Sequence, residues 1–183
     1  MPITYFSKYT LFLMVFTTAI ALPLLTGCGT LGQPTQGSSA SLAAAYTNLT
    51  DLKHGSDVAV IGTISRIADQ HTTGIPYVDF TFTIQQVIYD PHHLLQGSQI
   101  IVRQSGTTQP NVSVEDDEGP LFKIGEQAVL FLKNFSPQHY MLAGGITGRF
   151  RLQNGMVNNV ENIGVKLGGP IAEAQFIQMV KDA

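Results

Sequence analysis

The chain has 183 residues, ten Lys+Arg against thirteen Asp+Glu, a formal charge of −3, one Cys and no Trp, a length that suits one domain of roughly 100–200 residues with a tail. The lone Cys excludes an internal disulfide framework and any multi-cysteine zinc site. The acidic balance argues against a nucleic-acid binder, which needs a basic surface. In chain order, the first element is apolar. Lys8 is the only charged side chain before Asp51, and after it Leu11 to Leu25 runs with two threonines and Pro23 near its end. That stretch is at the upper limit of a signal-peptide apolar region, about 7–15 residues, and short for a membrane-spanning helix, about 20. Pro23 would also disturb a helix passing through it.

The run ends in Leu25-Thr26-Gly27-Cys28. This resembles the lipobox of bacterial lipoproteins: a branched aliphatic residue, a small residue, Gly or Ala, then Cys. The resemblance implies that the Cys28 thiol receives a diacylglyceryl group, and that the signal peptidase reads Leu25, Thr26 and Gly27. The peptidase then cuts before Cys28, and a further acyl chain such as palmitate is added to the new amino terminus. The chemistry fits the residue types. The thiol is the nucleophile that forms the thioether, and Gly27 leaves the scissile bond uncrowded. Each buried CH₂ is worth about 0.8 kcal/mol and one chain alone binds marginally, so two or three chains make a stable anchor without a spanning helix. Removing residues 1–27 from 183 leaves 156 and takes away only Lys8, moving the charge from −3 to −4. The expected partner is a membrane, engaged through lipid on Cys28, and the expected place is the extracytoplasmic face of the cell membrane.

Residues 28–41 carry no charge and are rich in Gly, Ser, Thr and Gln, a linker composition. Residues 42–183 form the domain. A short helix is predicted over 50–54, with Thr50 as N-cap and Gly55 as a left-handed stop. Val58 to Ile67 reads as a strand, with Gly62 marking a bend or a close backbone approach. Tyr77 to Gln85 alternates, placing Val78, Phe80, Phe82 and Ile84 inward and the polar residues outward. Gln86 to Tyr89 continues it after a change of phase, a bulge. Ser98 to Gln104 is a third strand, and residues 105–120 form a polar loop. Gln127 to Lys133 is a buried strand, Tyr140 to Ala143 a fifth and Gly148 to Gln153 a sixth. Asn154-Gly155 is a hairpin turn, and Met156 to Val160 returns. Pro170 starts a C-terminal helix with Phe176, Ile177 and Val180 on one face.

Short strands separated by turn signals, without βαβ alternation and with a helix at each end, define a mainly-β class. Long strands with a mid-strand Gly and a bulge favour a small closed or partly open barrel over a flat sandwich. Asp57 to Gly106 faintly resembles the OB-type barrel of netrin-like modules, without the disulfides those modules use. No functional residue carries over from that resemblance. The overall pattern also looks like uncharacterised surface lipoproteins of bacteria.

Candidate chemistry is sparse. Glu115-Asp116-Asp117-Glu118 could hold Ca²⁺, but lacks the alternating EF-hand pattern and reads as a solvated loop tip. His54, His71, His92, His93 and His139 show no zinc-type spacing and read as surface histidines. Ser105 and Ser136 lie in loops, and no G-x-S-x-G elbow is present. Gly144-Gly145 and Gly168-Gly169 read as turns. Arg149 and Arg151 share one strand face and could grip an anion; the alternation equally puts them on the solvent side while Phe150 and Leu152 point in. Tyr77 and Tyr89 are candidates for lining a groove, or for capping the barrel ends. Three Asn-x-Ser/Thr triplets, at Asn48, Asn111 and Asn134, read as ordinary residues. No cofactor and no metal is expected. The function expected is a non-catalytic binding or structural module of the cell envelope, with an envelope protein, peptide or glycan as ligand. The alternative is an envelope hydrolase with a site assembled from distant residues.

Overall fold

A computed structural model describes residues 46–72, 74–108 and 119–183 of the chain. The Leu25–Cys28 motif, residues 28–41 and the acidic run 115–118 lie outside the described residues. Within them the order is α1 (Leu49–His54), β1 (Val58–His71), β2 (Tyr77–Tyr89), β3 (Gln99–Ser105), β4 (Gln127–Ser136) and β5 (His139–Leu142). A 3₁₀ turn (Gly145–Gly148), β6 (Arg149–Gln153), β7 (Met156–Asn159), β8 (Ile171–Ala172) and α2 (Glu173–Asp182) follow.

Five strands close a barrel in the order β1-β2-β3-β5-β4-β1. All neighbours are antiparallel except β3 and β5, which pair in parallel with Val102 opposite Tyr140. This order is compatible with an OB-like fold. The barrel core holds the β2 residues that the alternation pointed inward, Val78, Phe80 and Phe82, with Ile84 packed at its margin, and they meet Ile100 and Val102 on β3 and Ala128, Leu130 and Leu132 on β4. Closure requires strong coiling, and the bulges supply it. Register shifts in the β1–β2 pair leave Gln85 and Ile88 of β2 without direct partners, which is the predicted change of phase. Gly62 sits at the shift that leaves Gln85 unpaired. A Cβ there would lie 2.1 Å from the Thr83 carbonyl oxygen, so only glycine lets the two backbones meet.

A second core lies outside the barrel wall. Ala59 and Ile61 of β1 and Val129 and Phe131 of β4 face away from the barrel interior, onto Leu52 of α1, Phe150 and Leu152 of β6, Val157 of β7 and Phe176 and Val180 of α2. The run Val58-Ala59-Val60-Ile61 therefore shows no alternation because both of its faces are covered. Along its other edge β4 carries β6 and then β5 in turn, and the sheet extends through β6, β7 and β8. The Asn154-Gly155 turn has φ of 51° and 72°, as a primed hairpin turn needs. Phe150 lies between Phe131 and Phe176, with ring centroids 5.8 and 5.0 Å away.

Several local expectations are corrected. The cap of α1 is Asn48, not Thr50: its Oδ1 accepts from the Asp51 N–H at 2.8 Å, and Thr50 lies inside the helix. Gly55 is not left-handed, with φ −77°. Its requirement is space, since a Cβ would strike the Tyr46 ring. Pro170 does not open the helix. Ile171 and Ala172 pair with Val157 and Met156 as a short strand first, because the edge of β7 offers hydrogen bonds, and the first helical N–H, from Glu173, goes to the Gly155 carbonyl at 2.9 Å. The polar residues of β2 lie on its outer face as expected, yet Asp79 and Thr81 are buried there.

Arg149 is the largest correction. The alternation of β6 puts it on the solvent side, yet it is one of the most buried side chains in the described residues, 2% exposed. Phe150 and Leu152, on the opposite face of β6, enter the second core, so Arg149 turns toward the barrel mouth instead. Its Nη2 donates to both Glu126 carboxylate oxygens, at 2.7 and 2.9 Å, its Nη1 donates to the Pro120 carbonyl, and its guanidinium lies 3.9 Å from the Phe122 ring centre. Burial pushes its pKa down, partly offset by the Glu126 hydrogen bonds. Gln104, also buried, closes the same mouth by donating to the Gly119 and Pro120 carbonyls and accepting from the Phe122 N–H.

Candidate binding surface

The outer faces of β2, β3 and β5 bring polar and aromatic side chains together. The register places Asp69 of β1, Asp79 of β2, Arg103 of β3 and Met141 of β5 in one row across four strands. His71 and Tyr77 stand opposite each other in the next row, with Ser105 beyond. Side chains in adjacent strands on one face are close enough to touch. Arg103 donates from Nε and Nη2 to the two Asp79 oxygens, both at 2.8 Å, a bidentate pair. The Asp79 hydrogen bond, against a smaller opposing effect of burial, raises the Arg103 pKa above its ordinary value.

The planar groups then stack. The Arg103 guanidinium lies 3.7 Å from the Tyr77 ring centre, and the His71 ring lies 5.0 Å from Tyr77 at 16°. The Phe135 ring centre is 5.2 Å from the guanidinium, and His139 is 6.0 Å beyond Phe135. Phe135 reaches this face through a bulge: Asn134 pairs with Tyr140 and Ser136 with His139, so Phe135 is the extra residue in β4. A bulge re-aims one side chain, and here it lifts a phenyl ring, 40% exposed, onto the guanidinium. Met141, 39% exposed, continues the apolar surface beside it. Beneath the same face, the Thr81 hydroxyl is buried and without a hydrogen-bond partner among the described residues.

The residues singled out in sequence fall unevenly. Tyr77, His71 and His139 come together here. Tyr89 does not: it lies at the other end of β2, against the second core and 5.4 Å from the Lys53 ammonium. His54 ends α1, and His92 and His93 lie in the turn after β2. Ser136 stands opposite His139, but the His139 ring contacts the Pro137 carbonyl through Nδ1 at 2.9 Å. Arg151 stays half-exposed and apart from this face, by the 123–127 turn. Among the described residues, no three His, Cys, Asp or Glu side chains gather closely enough to hold a metal ion. Asp79, Arg103, Phe135 and Met141 escaped the sequence reading. An Asp and an Arg at mid-strand outward positions were the available signal for the first two.

The fold and this surface define a class: a mainly-β domain on a closed five-stranded, OB-like barrel, with one outer face covered by protein and another bearing a stacked aromatic–guanidinium row. No protein-family model matches the chain, and no curated protein matches it in sequence. No helix among the described residues is long and apolar enough to cross a membrane.

Proposed function

We propose that the chain is a bacterial lipoprotein, held at the extracytoplasmic face of the cell membrane by lipid on Cys28, whose barrel is a non-catalytic module that binds an envelope partner. Leu25-Thr26-Gly27-Cys28 behind an apolar run supports the address. The binding reading is carried by one observation: the β4 bulge that lifts Phe135 onto Arg103 beside Met141. Exposed aromatic and methionine side chains around a pre-ordered arginine are the composition of interface cores. In OB-type barrels the face of strands 2 and 3 is also where ligands bind. The Asp79 clamp and the Tyr77 stack hold Arg103 in place before any partner arrives, which lowers the ordering entropy of binding.

Two measurements test the two halves. Mass spectrometry of the mature amino terminus finds acyl chains on Cys28, and Cys28→Ala is released from membranes; an unmodified, soluble wild type overturns the address. A photoreactive amino acid in place of Met141 forms envelope adducts that one in place of the more exposed Ile163 does not. Equal adducts from both positions overturn the binding face.

A further inference from the structure

We propose that the cleft between the 123–127 turn and the β6–β7 hairpin is an oxyanion site, in which Arg151 and Lys123 receive a phosphate group of a soluble ligand. The cleft has a volume of about 780 Å³ and lies away from the aromatic row. Among the described residues the only carboxylate lining it is Glu126, and that group is already used. Glu126 Oε1 accepts from Arg149 Nε and Nη2, and Oε2 accepts from Arg149 Nη2 and the Lys123 backbone N–H. The buried ion pair therefore neutralises the cleft's own acid.

Arg151 and Lys123 have no such partner. Neither side chain forms an ion pair or hydrogen bond among the described residues. Arg151 also shares a strand face with Arg149, two residues away, so one cation faces another. On a chain of net charge −3, a cleft with two uncompensated cations is a local reversal of sign. An anion in the cleft satisfies the guanidinium fork, whose planar donors match two phosphate oxygens while Lys123 acts as a point charge. The amides of Gln127 and Gln153 on the cleft wall supply neutral donors.

Calorimetric titration of the full chain in detergent with sodium pyrophosphate, at ionic strength held constant with chloride, tests the site. Saturable binding is expected. Arg151→Ala weakens it roughly tenfold, as loss of a charge-assisted hydrogen bond does. Arg151→Lys keeps part of it, Lys123→Ala weakens it several-fold, and Arg66→Ala, outside the cleft, leaves it unchanged. Non-saturable heats that are the same in wild type and Arg151→Ala overturn the proposal. So does a response to phosphatidylglycerol vesicles, but not to pyrophosphate, that Arg151→Ala abolishes, because the phosphate would then be a lipid headgroup. Binding seen only when Glu115, Asp116, Asp117 and Glu118 are all changed to their amides also overturns it, since the chain's own acids would then occupy the cations.

Discussion

The barrel has two outer faces built from the same kind of strand, and they end differently. On the β1–β4 side the outward residues are Ala59, Ile61, Val129 and Phe131, and α1, α2 and β6 to β8 cover them completely. On the β2–β3–β5 side they are Asp79, Thr81, Arg103, His139 and Met141, and no helix or strand among the described residues lies over them. Apolar outward positions recruited a second layer because leaving them in water forfeits about 25 cal/mol per Å². The other face solved its burial locally, by stacking flat polar and aromatic groups on one another. The lesson is that outward-facing chemistry decides which side of a barrel becomes architecture and which stays available for contact.

Substitutions can break that contrast, beginning with the largest effect. Phe150→Ala empties the centre of the covered face between Phe131 and Phe176. It should lower unfolding free energy by about 4 kcal/mol, read from urea denaturation. Arg149→Met leaves Glu126 buried without its cation, and a loss of about 3 kcal/mol is expected. The double change Arg149→Met with Glu126→Leu should recover much of that loss, because it removes the pair rather than breaking it.

Tyr140 gives a pH test of the barrel interior. Burial, aided by Asp90, raises its pKa above the ordinary value of 10.0, and its hydroxyl donates to the Leu94 carbonyl at 3.1 Å. The folded state thus holds the phenol proton more tightly than the unfolded chain. That contribution is fully present below pH 10 and is lost as pH rises from there through the folded value. Thermal melts of Tyr140→Phe should show a shallower alkaline decline than the wild type; identical slopes would exclude this assignment. The smallest expected effect is Phe135→Ala, on the open face. Its side chain is 40% exposed and lies outside both cores, so stability should change by less than about 0.5 kcal/mol in the same urea assay. Partner crosslinking from position 141 should nonetheless fall sharply. A destabilisation comparable to that of Phe150→Ala would mean that both faces are structural.

Much of the barrel was legible because it rests on period-two patterning and local turn chemistry. The alternation from Tyr77 to Ile84, the phase change after it, Gly62 and Asn154-Gly155 each state a backbone requirement within a few residues. The site was legible only in fragments. Tyr77, His71 and His139 could be named as aromatic or imidazole side chains at element ends, but nothing local says that Arg103, 24 residues past Asp79, lies beside it. The Phe135 bulge depends on β5 meeting β4 out of step, which no property of Phe135 announces.

What the sequence alone determined about this protein is its mainly-β class, the positions of most strands and turns, and which alternate residues of β2 fill the barrel, since these follow from pleat geometry and side-chain polarity. The tertiary structure decided the rest: that the Val58–Ile61 run is covered on both sides, that Arg149 turns inward to Glu126 while Arg151 stays half-exposed, and that no described helix or strand lies over the other outer face. Those outcomes depend on strand register and on which layer packs over which face, and both are fixed by contacts between residues far apart in the chain.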